Sequence, residues 1–322
     1  NINVVANQAL AAADLNTVTA FENIVISNNL AHSLITSDAT NATVAMDVDA
    51  SAMTTTIFTF NGAAEDDGTF NITVAGNKAH NITLGQLGDT VTSTSTDAVT
   101  IVGTAGANTI TTGTGADKIT LGTGNDTLTS GAGADTILVA TASLTTDDTI
   151  NAGDGTDVLQ SSNAMDLADA DFTNVTNVET LTVTTATHAM TLTMGAETSE
   201  AGISTVTLGT GINSIVVGAG HTAALTINQA ATGAGGDTID ASAYTAALTV
   251  GLTDNVQSTD TITGGTGTND TINLTLTNGV TLGTADTDTI TKFENLTTVG
   301  DVAGNHITTH DLLIDGGSTL TV

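Results

Sequence analysis

The feature that most constrains this chain is a repeat of nine residues. Four copies follow one another in register from Gly103 to Leu138, reading GTAGANTIT, TGTGADKIT, LGTGNDTLT and SGAGADTIL. In the last three copies two glycines alternate with other residues, an Asp comes two places after the second glycine, and a large aliphatic residue follows the Asp by two. Short tandem repeats fold as stacked units, because one copy alone cannot bury its apolar side chain. The repeat therefore predicts a solenoid.

Degenerate copies of the nonapeptide occur in two regions. They occupy residues 143–160 in the first region, and residues 232–240, 255–263 and 264–273 in the second. Four extra residues between Asp135 and Asp148 are expected to break the register of the first block. Alternating segments such as ALTVGLT indicate further strands, with Thr on the wet face and Val or Leu inside. A short helical turn is predicted within Asn7–Leu15, and a second one within Asp166–Phe172.

Stacking of the repeats brings carboxylates together. With two nonapeptides per turn of the solenoid, residues 18 apart stack in one sheet at ~4.8 Å. This register places Asp117 over Asp135 on one edge and Asn108 over Asp126 on the other. Two carboxylates at that spacing repel by on the order of several kcal/mol at an effective dielectric near 20, so a divalent cation between them becomes a cross-link.

The core of the repeat block is too thin to stabilise it without that cross-link. Its inward-facing residues are predicted to be Ile110, Ile119, Leu128 and Ile137. A core one residue wide does not offset the entropy lost in ordering each turn. Folding is therefore expected to require a cation, and oxygen-only ligands favour Ca²⁺.

The candidate calcium ligands are turn glycines, through their carbonyls, and the Asp residues. In the first block they are Gly113, Gly115, Asp117, Gly122, Gly124, Asp126, Gly131, Gly133, Asp135, Asp148, Gly153, Gly155 and Asp157. In the second block they are Gly233, Gly235, Asp237, Asp260 and Asp270. The ion at Asp237 would need a ligand from another turn, from Asp240 or the region of Asp260. Asn108 replaces Asp in the first copy, which is expected to be a capping turn with a weaker site or none.

The nonapeptides resemble the RTX family, whose pattern is G-G-x-G-x-D-x-U-x, with U a large aliphatic residue. The resemblance implies a parallel β-roll that binds several Ca²⁺ ions. The expected fold is all-β: a parallel β-roll or β-helix solenoid with RTX calcium-binding turns, additional β-rich layers and very little helix. The chain departs from the family pattern at Thr112, Leu121 and Ser130, which replace its first glycine.

A second, longer repeat organises the whole chain. VTAFENI, VTNVETL and ITKFENL contain Glu22, Glu179 and Glu294, for which a capping or ladder role is favoured over ligand binding. The first copy has no nonapeptide block before it, so the chain is expected to begin in the middle of a unit. The predicted divisions are a β-rich segment at 1–102, a nonapeptide block with a β-rich unit at 103–231, and a second such pair at 232–322.

Composition excludes several classes of function. Three lysines, no arginine and 34 acidic residues give a net charge of −31, which excludes a basic nucleic-acid surface. No apolar run of 18 residues predicts membrane insertion. The sequence contains no G-x-S-x-G or zinc-protease motif, so no catalytic site is expected and the chain is not predicted to be an enzyme. Without cysteine, a secreted chain needs another cross-link, such as a metal.

Three functional classes fit the RTX resemblance, and a structural one is preferred. The richness in Thr, Ala and Gly and the FENI-type units resemble Gram-negative surface-layer (S-layer) proteins, which implies type I secretion and calcium-dependent self-assembly into a lattice outside the cell. The alternatives are an RTX adhesin or biofilm protein that binds surfaces or glycans, and the secretion module of an enzyme or toxin. Cell-surface polysaccharide is a further expected partner. Two T-x-T rungs, Thr109 with Thr111 and Thr127 with Thr129, form a candidate binding face.

Overall fold

Short parallel strands dominate the computed structural model of this chain. The structure describes residues 2–5, 9–10, 22–37, 45–139, 144–161, 163–183, 188–229, 235–253, 256–275, 281–283, 288–299 and 306–308. The chain divides into two compact units. Unit 1 comprises Asn1–Leu159 and Asn174–Val178, and unit 2 comprises Gln160–Thr173 and Glu179–Val322. The divisions predicted at residues 102 and 231 stay predictions.

The strands are short and follow one another closely along the chain. In chain order they are β1 (Ile2–Val4), β2 (Ala9–Leu10), β3 (Asn23–Ile26), β4 (His32–Ile35), β5 (Ala45–Ala50), β6 (Phe58–Asn61), β7 (Thr69–Gly76), β8 (Asn81–Thr83), β9 (Thr90–Ser95), β10 (Thr100–Val102), β11 (Thr109–Thr111), β12 (Lys118–Thr120), β13 (Thr127–Thr129), β14 (Thr136–Val139), β15 (Thr149–Asn151), β16 (Val158–Ser161), β17 (Met165–Leu167), β18 (Val175–Thr176), β19 (Thr180–Val183), β20 (Met190–Met194), β21 (Thr205–Thr207), β22 (Ser214–Val217), β23 (Leu225–Asn228), β24 (Thr238–Asp240), β25 (Leu248–Thr253), β26 (Thr261–Thr263), β27 (Thr271–Thr275), β28 (Thr281–Leu282), β29 (Ile290–Thr291), β30 (Asn295–Val299) and β31 (His306–Ile307). The helical segments of the described residues are a 3₁₀ helix, Asp169–Phe172, and α1 (Ala196–Glu200).

Unit 1 is a parallel β-solenoid in which consecutive strands alternate between two sheets. One sheet has the order β1-β3-β5-β7-β9-β11-β13-β15-β18, and the other runs β2-β4-β6-β8-β10-β12-β14-β16. Two consecutive strands make one coil. In the nonapeptide block Ile110 lies opposite Leu128, which confirms the predicted spacing of 18 residues. Leu128 lies opposite Ile150, so the four extra residues lengthen one coil, and the prediction that they break the register is wrong for the stack.

The segment before the nonapeptides, for which only β-richness was predicted, forms coils of the same solenoid. Its coils are longer, since Val48 lies opposite Ile72 and Ile72 opposite Val91. The stack therefore continues past Asn108, and the prediction of a capping coil there is wrong. The helical turn predicted within Asn7–Leu15 is also wrong at Ala9–Leu10, which form β2 and pair in parallel with β4. The remaining residues of that prediction lie outside the described residues.

Unit 2 is a second parallel β-solenoid with longer coils. Its sheets have the orders β17-β20-β22-β24-β26-β29 and β19-β21-β23-β25-β27-β30, and β28 pairs separately with β31. The 3₁₀ helix lies within the predicted segment Asp166–Phe172, whereas α1 was not predicted. Neither helix in the described part of the chain has the length and apolar character needed to cross a membrane.

The core of unit 1 is a column of aliphatic side chains. Residues alternate between the buried and exposed faces along each strand, as the period of two requires. The predicted inward residues Ile110, Ile119, Leu128 and Ile137 are at most 1% exposed. Before the repeats the column widens, and Phe60 meets Phe70 edge to face at 4.9 Å between ring centroids. The nonapeptide coils contribute no aromatic side chain, which leaves them the thinnest part of the core.

Candidate calcium site

The repeat aspartates form a hydrogen-bonded ladder along one edge of unit 1. The backbone N–H of Val99 donates to Asp117 Oδ1 at 2.6 Å, that of Asp117 to Asp135 Oδ1 at 2.7 Å, and that of Asp135 to Asp157 Oδ1 at 2.7 Å. The stacking of Asp117 over Asp135 is therefore confirmed. We call Asp117, Asp135 and Asp157 the first ladder.

A second ladder follows the other edge of the same unit. It consists of Asp89, Asn108, Asp126 and Asp148. The N–H of Asp89 donates to Asn108 Oδ1 at 3.0 Å, that of Asn108 to Asp126 Oδ1 at 2.8 Å, and that of Asp126 to Asp148 Oδ1 at 2.8 Å. Asp89 extends the ladder by accepting the N–H of Phe70 at 2.7 Å. An amide oxygen serves as well as a carboxylate oxygen in this role, which explains why Asn108 does not end the stack.

Three ladder carboxylates have a second oxygen without a hydrogen-bond partner. Oδ2 of Asp117, of Asp126 and of Asp135 is buried and accepts no hydrogen bond, and each residue is at most 1% exposed. The Thr112 hydroxyl near Asp117 donates its single proton to the carbonyl of Ser130 at 2.8 Å instead. Buried polar atoms are almost always paired, so an orphaned carboxylate oxygen indicates a missing cation or donor.

The electrostatics of these carboxylates favour a cation. Burial raises the pKa of Asp117, of Asp126 and of Asp135 above the ordinary range. The negative charge of Asp148 raises the pKa of Asp126 further, and that of Asp117 does the same for Asp135. A desolvated carboxylate beside another carboxylate is stabilised strongly by a divalent ion. The residues present therefore fit calcium.

The turn glycines are required by the close stacking of backbone. Gly131 has φ +86, and a Cβ there would overlap the carbonyl oxygen of Gly113. A Cβ on Gly153 would likewise overlap the carbonyl oxygen of Gly131. A backbone atom of the preceding coil also blocks a Cβ at Gly113, Gly115, Gly122, Gly124, Gly133 and Gly155.

Carbonyl oxygens are the second source of ligands in these turns. No group of three or more His, Cys, Asp or Glu side chains suited to a metal occurs among the described residues. Calcium takes 6–8 oxygen ligands, more than one pair of carboxylates supplies. Stacked turn carbonyls and water must therefore provide the rest. Metal binding by the predicted glycines and aspartates stays a prediction.

Other ladder carboxylates obtain both of their partners from the protein. Asp89 Oδ2 accepts the N–H of Gly85 at 2.8 Å. Asp148 Oδ2 accepts the N–H of Thr145 at 2.7 Å and its hydroxyl at 3.1 Å. Both carboxylates are therefore satisfied without a cation. Of the predicted ligands in the first block, Asp148 differs in this way from Asp126, on which it stacks.

The predicted residues of the second block also form ladders in unit 2. Asp237 Oδ1 accepts the N–H of Asn213 at 2.8 Å, and Asp260 Oδ1 accepts that of Asp237 at 3.0 Å. The Gln229 amide nitrogen contacts both second oxygens, at 3.1 Å from Asp237 Oδ2 and 3.4 Å from Asp260 Oδ2. An amide N–H thus lies where the prediction places an ion. Asp240 does not join this ladder, because it is exposed and bonds Ser242.

The remaining predicted residues of this block do not join that pair. Asp270 lies on the other corner, where its two carboxylate oxygens accept the N–H groups of Leu248 at 2.9 Å and Gly265 at 2.7 Å. Gly235 lies beside the side chains of Gln257 and Thr259. Gly233 lies outside the described residues.

Sequence reasoning missed four ladder members: Asp89, His80, Asn213 and Glu294. His80 Nδ1 accepts the N–H of Phe58 at 3.1 Å, and Glu294 Oε2 accepts that of Asp270 at 2.7 Å. The ladder role favoured for Glu294 is thereby confirmed. A signal was present, since each of the four immediately precedes a strand whose second residue is a buried aliphatic. Glu22 and Glu179 hold the same position before β3 and β19.

Comparison with known proteins agrees with this geometry. The model of the RTX calcium-binding nonapeptide repeat matches four copies, over residues 102–137 and 145–163. The match contains both ladders of the block from Asn108 to Asp157, and it does not extend to Asp237, Asp260 or Asp270. No curated protein and no solved structure matches the chain. Residues 102–163 of this parallel β-solenoid thus contain RTX repeats, the calcium-binding nonapeptides of proteins that bacteria typically secrete.

Proposed function

We propose that this chain is a structural segment of a secreted bacterial surface protein that folds on calcium and assembles into an extracellular lattice of the S-layer type. The observation that carries the proposal is the stack of buried carboxylates, Asp117, Asp126 and Asp135, each with an orphaned oxygen. In a medium poor in calcium these charges oppose folding. In a calcium-rich medium outside the cell they bind the ion, so secretion itself triggers folding.

A structural role agrees with the surface of the solenoids. The outward residues of both units are mainly Thr, Ser and Asn, which present hydroxyl and amide groups in rows along the sheets. Repeated rows suit extended, repeated contacts between copies. A chain with three lysines and 34 acidic residues would repel its own copies, so calcium is also the natural bridge between them.

One observation favours the adhesin alternative. The two T-x-T rungs predicted for β11 and β13 are joined by a third in β9, because Thr90 lies opposite Thr109 and Thr92 opposite Thr111. Three stacked rungs give a flat array of hydroxyl groups in the nonapeptide block. Such an array can bind the hydroxyl groups of a glycan.

Calcium titration of the chain tests the proposal. Far-UV circular dichroism and light scattering are measured in EGTA and then in millimolar CaCl₂, with MgCl₂ as the ion control. We expect β-structure in unit 1 and large assemblies only with calcium, and electron micrographs of those assemblies should show ordered sheets. A chain equally folded and monomeric in all three solutions refutes the proposal. Calcium-dependent folding with glycan binding but no ordered assembly selects the adhesin.

The matched control removes the orphaned charges alone. The triple variant Asp117→Asn, Asp126→Asn and Asp135→Asn keeps an oxygen to accept each ladder N–H, as Asn108 already does. We expect it to be folded in EGTA and to respond weakly to calcium. A triple variant that is still unfolded in EGTA and folds with calcium as the parent does would show that the ladder charges are not the calcium switch.

A further inference from the structure

A buried carboxyl group lies outside the nonapeptides, in the loop between β6 and β7. The loop reads Gly62-Ala63-Ala64-Glu65-Asp66-Asp67-Gly68. Glu65 is 0% exposed, whereas the two aspartates that follow it are exposed. One acidic side chain of three is thus turned away from water into the corner of the solenoid.

The Glu65 carboxyl is only half satisfied. Its Oε1 accepts the N–H of Gly68 at 3.1 Å, but its Oε2 is buried and has no hydrogen-bond partner. Its near neighbour is the acidic side chain of Asp67, which interacts with it directly. Burial, and then Asp67, raises the pKa of Glu65 to about 7. Two carboxyl groups in contact need either a shared proton or a cation between them.

The loop occupies the same corner column as the calcium-binding turns. The N–H of Gln86 donates to the carbonyl oxygen of Glu65 at 2.8 Å, so the loop stacks on the turn before β9. The next residue of that corner with a ladder role is Asp89, the first member of the second ladder. The column of acidic turns therefore begins at Glu65, three coils before Asp126 and without a nonapeptide.

We propose that Glu65 and Asp67 bind a divalent cation, calcium, at a site of their own. Glu65 Oε2 is the buried ligand, and the Asp67 carboxylate binds from the solvent side, where its exposure lets the ion enter. Carbonyl oxygens of the loop and water complete the oxygen ligands that calcium requires. The site adds a cross-link to coils that the family match does not cover, and it is independent of lattice formation.

Counting bound ions in the full chain tests this site. Isothermal titration with CaCl₂ is compared for the parent, Glu65→Gln, Asp67→Asn and Asp66→Asn. Glu65→Gln keeps the shape and the acceptor for Gly68 while it removes the ligand charge. Asp66→Asn is the matched control, because it removes the same charge from the adjacent exposed residue. We expect Glu65→Gln and Asp67→Asn each to bind about one calcium fewer than the parent, and Asp66→Asn to bind as many as the parent.

The opposite result has a clear meaning. Glu65→Gln mimics the protonated acid, so a folded Glu65→Gln variant that binds as many ions as the parent shows that Glu65 and Asp67 share a proton, and the proposal falls. If circular dichroism shows that Glu65→Gln does not fold, Asp67→Asn decides, since that side chain is exposed. An unchanged ion count in Asp67→Asn also refutes the site. An equal loss in Asp66→Asn refutes it too, because the effect is then one of net charge.

Discussion

At the scale of single residues, hydrogen-bond donors separate two kinds of ladder carboxylate. Asp126 and Asp89 belong to the same ladder and both use one oxygen to accept a backbone N–H. The second oxygen of Asp89 has a donor in Gly85, and that of Asp126 has none. Because the fold supplies one and not the other, we infer that calcium is needed at Asp126 and not at Asp89.

Substitution of these two residues should therefore give opposite results. In EGTA, Asp126→Asn should unfold at the same or a higher temperature than the parent, because it removes a buried charge and keeps the ladder acceptor. Asp89→Asn should lose about 1–3 kcal/mol with or without calcium, since its amide N–H₂ meets the N–H of Gly85 or Phe70. Thermal unfolding in EGTA and in CaCl₂ measures both. Equal losses for the two variants in EGTA would contradict the distinction.

His80 makes the fold sensitive to acid. Its Nδ1 accepts the N–H of Phe58, its Nε2 bonds the carbonyl oxygen of Ala75 at 3.0 Å, and burial lowers its pKa. A histidine with a lowered folded pKa stays neutral in the folded chain while the unfolded chain takes up a proton. Stability is therefore full above the unfolded pKa of about 6.5 and falls as the pH drops below it, by at most about 1.4 kcal/mol per pH unit.

Replacement by asparagine should remove this dependence. In His80→Asn the amide oxygen can accept the N–H of Phe58, as Asn108 does for Asp89. Urea unfolding in CaCl₂ between pH 7 and pH 5 compares the parent, His80→Asn and the control His188→Asn. We expect a flatter profile for His80→Asn alone. Parallel profiles for the parent and His80→Asn would show that protonation of His80 is not the cause.

At the scale of elements, the nonapeptide turn is a coil shortened until backbone meets backbone. Coils of 18 residues leave no room for a Cβ between successive turns, as at Gly131 above Gly113. The longer coils of unit 2 are less tight, and Gly236, with φ +104, has only the Ile212 side chain nearby, at 3.8 Å. Tight stacking is what brings the turn carbonyls and carboxylates within reach of one ion.

This difference predicts unequal costs for two glycine-to-alanine changes. Gly236→Ala should cost about 1–3 kcal/mol, from its positive φ alone. Gly131→Ala carries a similar φ cost and also forces the Gly113 carbonyl aside, so it should cost more and should weaken calcium binding. Urea unfolding in CaCl₂ and a calcium titration provide the two measurements. A smaller loss for Gly131→Ala than for Gly236→Ala would contradict the steric account.

At the scale of the whole molecule, charge decides the conditions under which the chain folds. A net charge of −31 on 322 residues favours expanded states through self-repulsion. Bound calcium neutralises the carboxylates that are packed most closely, and dissolved salt screens the others. Salt and calcium should therefore substitute for each other in part.

The substitution can be measured from the salt dependence of unfolding. In EGTA, raising NaCl from about 0.1 M to 1 M shortens the screening length from about 10 Å to 3 Å and should raise the unfolding temperature. In saturating CaCl₂ the rise should be smaller, because the closest repulsions are already removed. The variant with Asn at 117, 126 and 135 should resemble the calcium-bound parent. An identical salt dependence with and without calcium would show that the ladder charges do not limit folding.

Much of the repeat block could be predicted because its period is local. A spacing of nine residues determines which residues stack, so Asp117 over Asp135 and the inward Ile119 follow from counting alone. The coils around Val48 and Ile72 have no such fixed length, and their register depends on pairing with neighbouring strands. The helical propensity near Ala9 was overridden in the same way, by pairing with β4.

By itself, the sequence determined the parallel solenoid, the stack of aspartates and the chemistry of their ion, since each follows from residue type at a repeated spacing. Only the tertiary structure decided which carboxylates need that ion. The donors that satisfy Asp89, Asp148 and Asp237 come from loop residues and from a neighbouring strand, whose positions no repeat records. The orphaned oxygen of Glu65 is visible for the same reason, because burial and hydrogen-bond satisfaction are properties of packed coils.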